Sequence, residues 1–424
     1  HEASDLCGAM LTASPLLEAF GCASTLRNTN SSRFGKLMQI WATPGERASF
    51  SHSSIETYLL EKGRVSHHAE GERTFHVLYY CAAAAASARS CHLDASAVHA
   101  LSSAGAHSGA RAFRILRQGL RPSDDGEHAE NACQKFEEVI RALGSLGAPP
   151  AAVESLGRIL AAVLLLGNTS FAADDEDKAF VITSSDDDAN AESCLELAAR
   201  LLGIDARALA TRLTSRTVHS GRGSTYAIKY SIPAAEGARD GLVRELYSRL
   251  FSWLVARINT SLAGPCKTNI DDTASATCPS IVPSNYIAIL DIFGFESLAQ
   301  NSLEQLLINH ANETLQLFFM ERTMAAELAM YTEEGVRVPA ITIPDNSACV
   351  ELVSGKPNGI AWLIEDEGAM PKPTDASLVE RVLSTHAEHP SMAQAQRRGV
   401  RAGCGGRSAF VVAHFAGQVS NTST

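Results

Sequence analysis

Apolar and polar positions divide the chain into segments of different period. Residues 11–20 read as the end of a helix that runs into Gly21 and then a polar loop, residues 24–33. Residues 34–41 cluster apolar side chains as a buried strand does, and residues 55–65 offer a second strand; a turn around Pro44 and Gly45 makes the two a hairpin. From Glu72 the pattern becomes helical, with Phe75, Leu78 and Tyr79 on one face and the alanine run 82–86 continuing the helix. Further helices are predicted over residues 131–143, 151–166, 191–202 and 241–262, the last strongly amphipathic. An acidic stretch, residues 172–190, with Asp174, Asp175, Glu176 and Asp177, reads as a solvated surface loop.

A second loop, residues 264–284, leads to an apolar run over 286–290 that reads as a buried strand ending in Asp291. Residues 292–297 form a loop and give way to a long helix beginning near Asn301. Asn301 and Glu304 have the spacing of a capping box, and Leu303, Leu306, Leu307, Leu315, Phe318 and Phe319 recur at helical intervals. Continued to Leu328, this helix is about 40 Å long at about 1.5 Å per residue.

Composition narrows the function classes. At 424 residues and 45% hydrophobic content the chain can bury a large core divided among two or three subdomains. No stretch is read as reaching the roughly 20 apolar residues that cross a bilayer. A net charge of -11 argues against nucleic acid as a partner, because phosphate contact needs a basic face. The ten cysteines show no metal-type spacing, which points to a reduced, cytoplasmic setting, and the Asn168-Thr169-Ser170 sequon is expected to be unmodified. The first residue is histidine and the chain stops soon after Val419-Ser420, so it is expected to be cut from something longer.

Two loops carry candidate chemistry. Asn28-Thr29-Asn30-Ser31-Ser32-Arg33-Phe34-Gly35-Lys36 offers hydroxyls and amides suited to magnesium and phosphate oxygens. Asp291-Ile292-Phe293-Gly294-Phe295-Glu296 places an aspartate where it can sit near a metal and a glycine whose amide can meet a phosphate. Neither loop is diagnostic alone.

Together they resemble switch I and switch II of the myosins, and the resemblance extends on both sides of each. Leu17-Glu18-Ala19-Phe20-Gly21 precedes the first loop; Thr57-Tyr58-Leu59-Leu60-Glu61-Lys62-Gly63-Arg64-Val65 and Gly71-Glu72-Arg73-Thr74-Phe75-His76 follow it. Arg239-Asp240-Gly241-Leu242, the run from Tyr247 to Val255 and Asn259 also look like the family, as does the relay-helix pattern with Asn309, Asn312-Glu313 and Phe318-Phe319. The similarity runs from Leu11 to Gly417 and is patchy over 82–110, over the acidic loop and over 386–406. Kinesins share the layout, but Phe34-Gly35-Lys36 and Gly294-Phe295-Glu296 favour the myosins.

The resemblance implies an α/β fold: a fragment of a P-loop NTPase motor, with a twisted mixed sheet, a large helical upper lobe and a long relay helix. Its expected parts are switch I and transducer strands over 1–80, a helical upper actin-binding subdomain over 81–285, and switch II, relay helix and the start of a lower actin-binding subdomain over 286–424. It implies ATP with Mg2+ as ligand. Ser32 would ligate the ion directly and Asp291 through water; Asn28 and Asn30 would contact nucleotide, Ser31 would lie beside the γ-phosphate and attacking water, and Gly294 would donate its amide to that phosphate. Arg33 and Glu296 would pair when switch II closes. Arg216, Arg222, Ser224 and Thr225 match a basic loop on the actin-facing surface. The implied activity is movement on actin filaments in the cytoskeleton, with light chains binding only outside this stretch.

The chain also departs from the pattern. It holds no G-x-x-x-x-G-K-[ST] phosphate loop, which in myosins lies upstream of this stretch, so alone it is not expected to work as a motor. Cys22 and Ser24 stand where asparagine and a basic residue are usual, and Ser420 where an aromatic is usual. A non-catalytic actin-binding or regulatory relic is the alternative reading.

Overall fold

A computed structural model describes residues 2–43, 49–87, 93–120, 127–182, 192–219, 225–263, 285–298, 301–339, 344–370, 374–392 and 409–422. They form two compact units, residues 1–291 and 292–424.

In the first unit, helix α1 (Glu2–Gly21) leads into two short paired strands, β1 (Cys22–Ala23) and β2 (Ser31–Ser32), and then β3 (Gly35–Thr43) and β4 (Ser49–Tyr58). Helices α2 (His76–Ala86), α3 (Ala95–Ser103), α4 (Arg114–Arg117), α5 (Glu127–Ser145) and α6 (Pro150–Asn168) follow. A small hairpin of β5 (Phe171–Ala173) and β6 (Ala179–Val181), helices α7 (Cys194–Leu202) and α8 (Ala206–Thr214), and a second hairpin of β7 (Ser215–His219) and β8 (Thr225–Lys229) precede the 31-residue α9 (Ile232–Leu262) and strand β9 (Asn285–Asp291). Helix α6 is the centre of this unit: Leu160, Val163, Leu164, Leu165 and Leu166 are fully buried, and it packs against α7 and α9. Its 19 residues are apolar enough to cross a bilayer, contrary to the expectation that no stretch is, but the burial of its centre is that of a core helix.

The sheet has the order β4-β3-β9 and is antiparallel throughout. The mixed sheet expected from the sequence is therefore, among the described residues, a set of antiparallel pairs; one isolated parallel bridge joins Asn301 and Asn421. The second strand begins earlier than expected and ends at Tyr58, with residues 62–65 a turn of 3-10 helix. Its first half, Ser49 to Ser54, is mostly polar and so escapes a search for apolar runs. The expected turn at Pro44 and Gly45 and the loop 264–284 lie outside the described residues. Strand β9 exists as expected but is not buried: Tyr286, Ile287 and Ile289 are more than half exposed, because β9 is an edge strand and the helices α1 and α9 pack on β4 at the opposite edge. The acidic loop is partly structured too. Asp174 Oδ1 accepts from the N–H groups of Glu176 and Lys178 at 3.1 and 2.8 Å, which turns β5 back into β6; residues 183–191 lie outside the described set.

Along α9, Val243, Tyr247, Leu250, Phe251, Leu254, Ile258 and Leu262 are buried at the three- and four-residue spacing that puts them on one face. Phe251 meets Phe34 edge-on at 5.2 Å, Tyr247 stacks on Phe75 at 4.8 Å, and the Tyr247 hydroxyl donates to Phe20 O at 2.8 Å. Helix α9 thus anchors the segments on either side of loop 24–33.

The second unit opens with loop 292–298 and α10 (Leu303–Phe319), then a π-helical turn (Met320–Ala325) and α11 (Ala326–Glu333). The rod runs further than Leu328, about 45 Å in all at about 1.5 Å per residue, and it is not uniformly α-helical. A π turn adds a residue to the ladder, and such turns are where helices bend. The capping box is formed by Ser302 and Gln305, one residue later than Asn301 and Glu304, because the Asn301 side chain bonds instead to Leu298 and Ser420. Helices α12 (Ser347–Ser354), α13 (Ile360–Gly368) and α14 (Asp375–Thr385) and the hairpin of β10 (Ala409–His414) and β11 (Gly417–Thr422) complete it. Leu306, Leu352, Ile360, Leu363, Val382 and Val412 form its core.

Candidate functional site

The first loop is folded by its own polar groups. Thr25 N–H donates to Asn28 O at 2.8 Å, Asn30 N–H donates to Asn28 Oδ1 at 2.9 Å, and the Asn30 side-chain oxygen meets His76 Nε2 at 3.0 Å. Burial holds the His76 imidazole down at about 4, so the ring is neutral at neutral pH. Ser31 Oγ accepts from Arg33 at 3.3 Å, and Ser32 Oγ donates to Phe34 O at 3.0 Å. Gly21 admits the Phe34 ring against its backbone, where any Cβ would collide with the ring.

Asp291 closes β9 in register with Lys36, and Lys36 Nζ lies 3.2 Å from Asp291 Oδ2 with both side chains partly exposed. Ser32 lies only four residues before Lys36. Cys22, paired in register with Ser32, feels Asp291 as well: burial pushes its thiol up to about 11, Glu18 and Asp291 push the same way, and Lys36 and a hydrogen bond from Ser32 oppose them. Ser32 and Asp291, 259 positions apart in the numbering, therefore stand at the same end of the sheet. A hydroxyl and a carboxylate are hard oxygen donors, the set that suits Mg2+ sharing its shell with water and phosphate.

Arg33 is buried, 2% exposed, and has a carboxylate partner in its own unit: Nε donates to Glu61 Oε2 at 2.5 Å. Glu61 is held in turn by Arg64, and Arg64 by Glu72. Burial pushes the Glu61 carboxyl up, but Arg64 and Arg33 outweigh it and hold it below 4.5. This chain of charges is not among the groups expected from the sequence to act. The signal was there, as Glu61 and Arg64 at a three-residue spacing with Glu72 shortly after.

In the second unit, loop 292–298 is gripped by the helix that follows it. Asn309, fully buried, accepts from Glu296 N–H and donates to Glu296 O, both at 2.8 Å; Asn312 Nδ2 donates to Phe293 O at 2.9 Å, and Gln305 Nε2 to Glu296 Oε2 at 3.3 Å. Gly294 sits between these fixed points, and a Cβ added there meets open space among the described residues. Deeper in, Glu313 on α10 accepts from Phe415 N–H at 2.6 Å, from Asn346 Nδ2, and from His414 Nδ1 at 3.2 Å, with Cys349 Sγ 3.6 Å from the same imidazole nitrogen. Both carboxylate oxygens are thus already used by hydrogen-bond donors, and the cluster reads as a polar tie between α10, α12 and β10 rather than as an ion cage.

Of the residues expected at a filament surface, Arg216 is an exposed side chain on β7 and Thr225 opens β8; Arg222 and Ser224 lie outside the described residues. Tyr226 and Ile228 on β8 are also exposed.

The whole chain, residues 1–424, matches the family model described as Myosin head (motor domain). It is 34% identical over 416 residues to Myosin-1 of Arabidopsis thaliana, covering 98% of this chain and 31% of that protein. It is likewise 34% identical over 424 residues to Unconventional myosin-Ic of Bos taurus, covering 98% and 36%, and 33% identical over 413 residues to Myosin-I heavy chain of Dictyostelium discoideum, covering 97% and 16%. The chain spans about a third or less of the length of these relatives.

Proposed function

Because this chain belongs to the myosin motor-domain family, we propose that it is the switch-bearing part of an actin-based motor, in which a nucleotide-dependent shift of loop 292–298 is read out by α10. The observation that carries the mechanical half is the grip of Asn309 and Asn312 on that loop: a helix bonded to the backbone on either side of Gly294 must follow when Gly294 moves. The chemical half rests on the donor set at the end of the sheet.

In this reading Ser32 and Asp291 hold Mg2+, which supplies charge neutralisation to the phosphates of ATP. Asn28 and Asn30 bind the nucleotide, and the Ser31 hydroxyl, already oriented by Arg33, positions the attacking water. Gly294 offers its amide to the γ-phosphate. Phosphoryl transfer asks chiefly for positioning and for charge stabilisation, so loops of hydroxyls, amides and one guanidinium are sufficient. Arg33 and Glu296 form a latch in the closed state, and a buried pair stripped of one member costs about 3 to 5 kcal/mol, enough to shift a two-state closure almost completely. Arg216, Arg222, Ser224 and Thr225 meet the acidic filament, and the protein works in the cytoskeleton. On this reading residues 1–80 are the switch I and transducer-strand region, 81–285 the helical upper actin-binding subdomain, and 286–424 switch II, the relay helix and the start of the lower actin-binding subdomain.

The test is steady-state ATP hydrolysis by the full-length protein with and without actin filaments. A rate that rises with actin supports the reading, and a basal rate that actin never raises contradicts it.

A further inference from the structure

One chain of four buried charges pins both ends of loop 24–33. At its far end Arg33 Nε bonds Glu61 Oε2 at 2.5 Å. Glu61 is bound by Arg64 through Nε at 2.7 Å and Nη2 at 3.3 Å, and Arg64 Nη1 reaches Glu72 Oε2 at 2.8 Å and Arg73 O at 3.2 Å. At the near end Glu72 Oε1 accepts from Leu26 N–H at 3.4 Å, and Arg73 N–H donates to Ser24 O at 2.8 Å. Backbone bonds reinforce the far end: Arg33 N–H to Gly21 O at 2.8 Å and Glu61 N–H to Arg33 O at 2.9 Å. Arg33, Glu61, Arg64 and Glu72 are all 9% exposed or less.

Signs alternate along the chain and the charges cancel. A loop that needed only stability would be served as well by apolar packing, since well-packed apolar side chains replace buried ion pairs at little or no loss. Apolar packing cannot orient a guanidinium. A planar fork held at Nε by a carboxylate, itself fixed by a second guanidinium, has one orientation.

We propose that Glu61 and Glu72 are positioning residues for hydrolysis: Glu61 orients Arg33 directly, and Glu72, acting through Arg64 and Leu26, holds the opposite end of the loop, so that Asn28, Asn30, Ser31 and Ser32 are presented together. The inference rests on the motor reading above and adds to it two residues of the flanking segment, neither assigned a contact with nucleotide.

The experiment uses the full-length protein carrying Glu61→Gln, Glu61→Asp or Glu72→Gln, with Glu245→Gln as control, because Glu245 makes an exposed pair with Arg249 on the surface of α9. The phosphate burst on mixing with MgATP, the binding rate of a fluorescent ATP analogue and thermal melting are measured for each. For Glu61→Gln the burst falls about tenfold or more while analogue binding stays within about threefold, since misorientation costs the chemical step rather than capture. Glu61→Asp, which keeps the charge one methylene short, melts normally and recovers part of the burst; Glu72→Gln falls between it and the wild type, and Glu245→Gln matches the wild type. The assignment is overturned if Glu61→Gln and Glu61→Asp burst like the wild type, or if burst, binding and melting decline together. A wild-type protein that shows no burst removes the motor reading itself, and this inference with it.

Discussion

Asn309 holds Glu296 by both of its backbone groups, accepting from its N–H and donating to its carbonyl at 2.8 Å each. The side chain replaces a strand partner for one residue of a loop, and its own residue is part of α10, so loop and helix are one mechanical piece. Asn309→Ala leaves both groups without that partner at a cost of about 1 to 3 kcal/mol. In the full-length protein this predicts that actin sliding velocity falls by more than ATP turnover does. Equal losses in gliding assays and in ATPase assays run side by side would place Asn309 outside the coupling path.

Gly294 supplies a contrasting case. Nothing among the described residues crowds a Cβ at this position. Gly294→Ala should therefore leave stability within about 0.5 kcal/mol of the wild type, as harmless surface changes do. In the proposed role its amide meets a phosphate closely, and the added methyl would stand in the way. The expected result is an unchanged denaturation midpoint with a hydrolysis burst lowered about tenfold, a factor of about 1.4 kcal/mol; a variant that melts early would make the glycine structural.

Glu313 makes part of the fold pH-dependent in a definite direction. Burial pushes its carboxyl up, but the bonds from His414, Asn346 and Phe415 N–H outweigh burial and hold it below 4.5. A carboxyl lowered by folding contributes stability that is present above its unfolded value and lost as pH falls through the folded one. Denaturant unfolding midpoints should thus fall as pH drops below about 4.5, and less steeply in Glu313→Gln, which has no charge to lose. Parallel curves for the two proteins would show that another group governs the acid limb.

How much of this was legible in the sequence depends on whether a feature is periodic. The amphipathic spacing of Val243, Tyr247, Leu250 and Leu254 marks α9 over 241–262, although the helix begins earlier, at Ile232, and the Leu-rich run marks α6, because repeated burial writes itself as a period. Strand β4 was read too late because Ser51, Ser53 and Ser54 carry no apolar signal, and β9 was read as buried because an edge strand and a central one share the same residues. The box at Ser302 and Gln305 was displaced by the competing bonds of Asn301, a tertiary effect that spacing alone does not encode. Asn309 and Asn312 were visible only as members of a motif, and Glu61, Arg64 and Glu72 only as neighbours of one. Their roles lie in which atoms they reach, and that is decided by the fold.

If, as proposed, Arg33 and Glu296 meet only in the hydrolysis-competent state, removing both side chains costs no more than removing one. Arg33 is also held by Glu61, so a charge swap would set two buried carboxylates together, and truncation is the cleaner change. The phosphate burst of full-length protein carrying Arg33→Ala, Glu296→Ala or both tests this: each single change should lower it about a hundredfold or more, and the double variant should lose no more than the worse single one. Losses that multiply in the double variant, with all three folded and still binding nucleotide, would show that the two residues act independently.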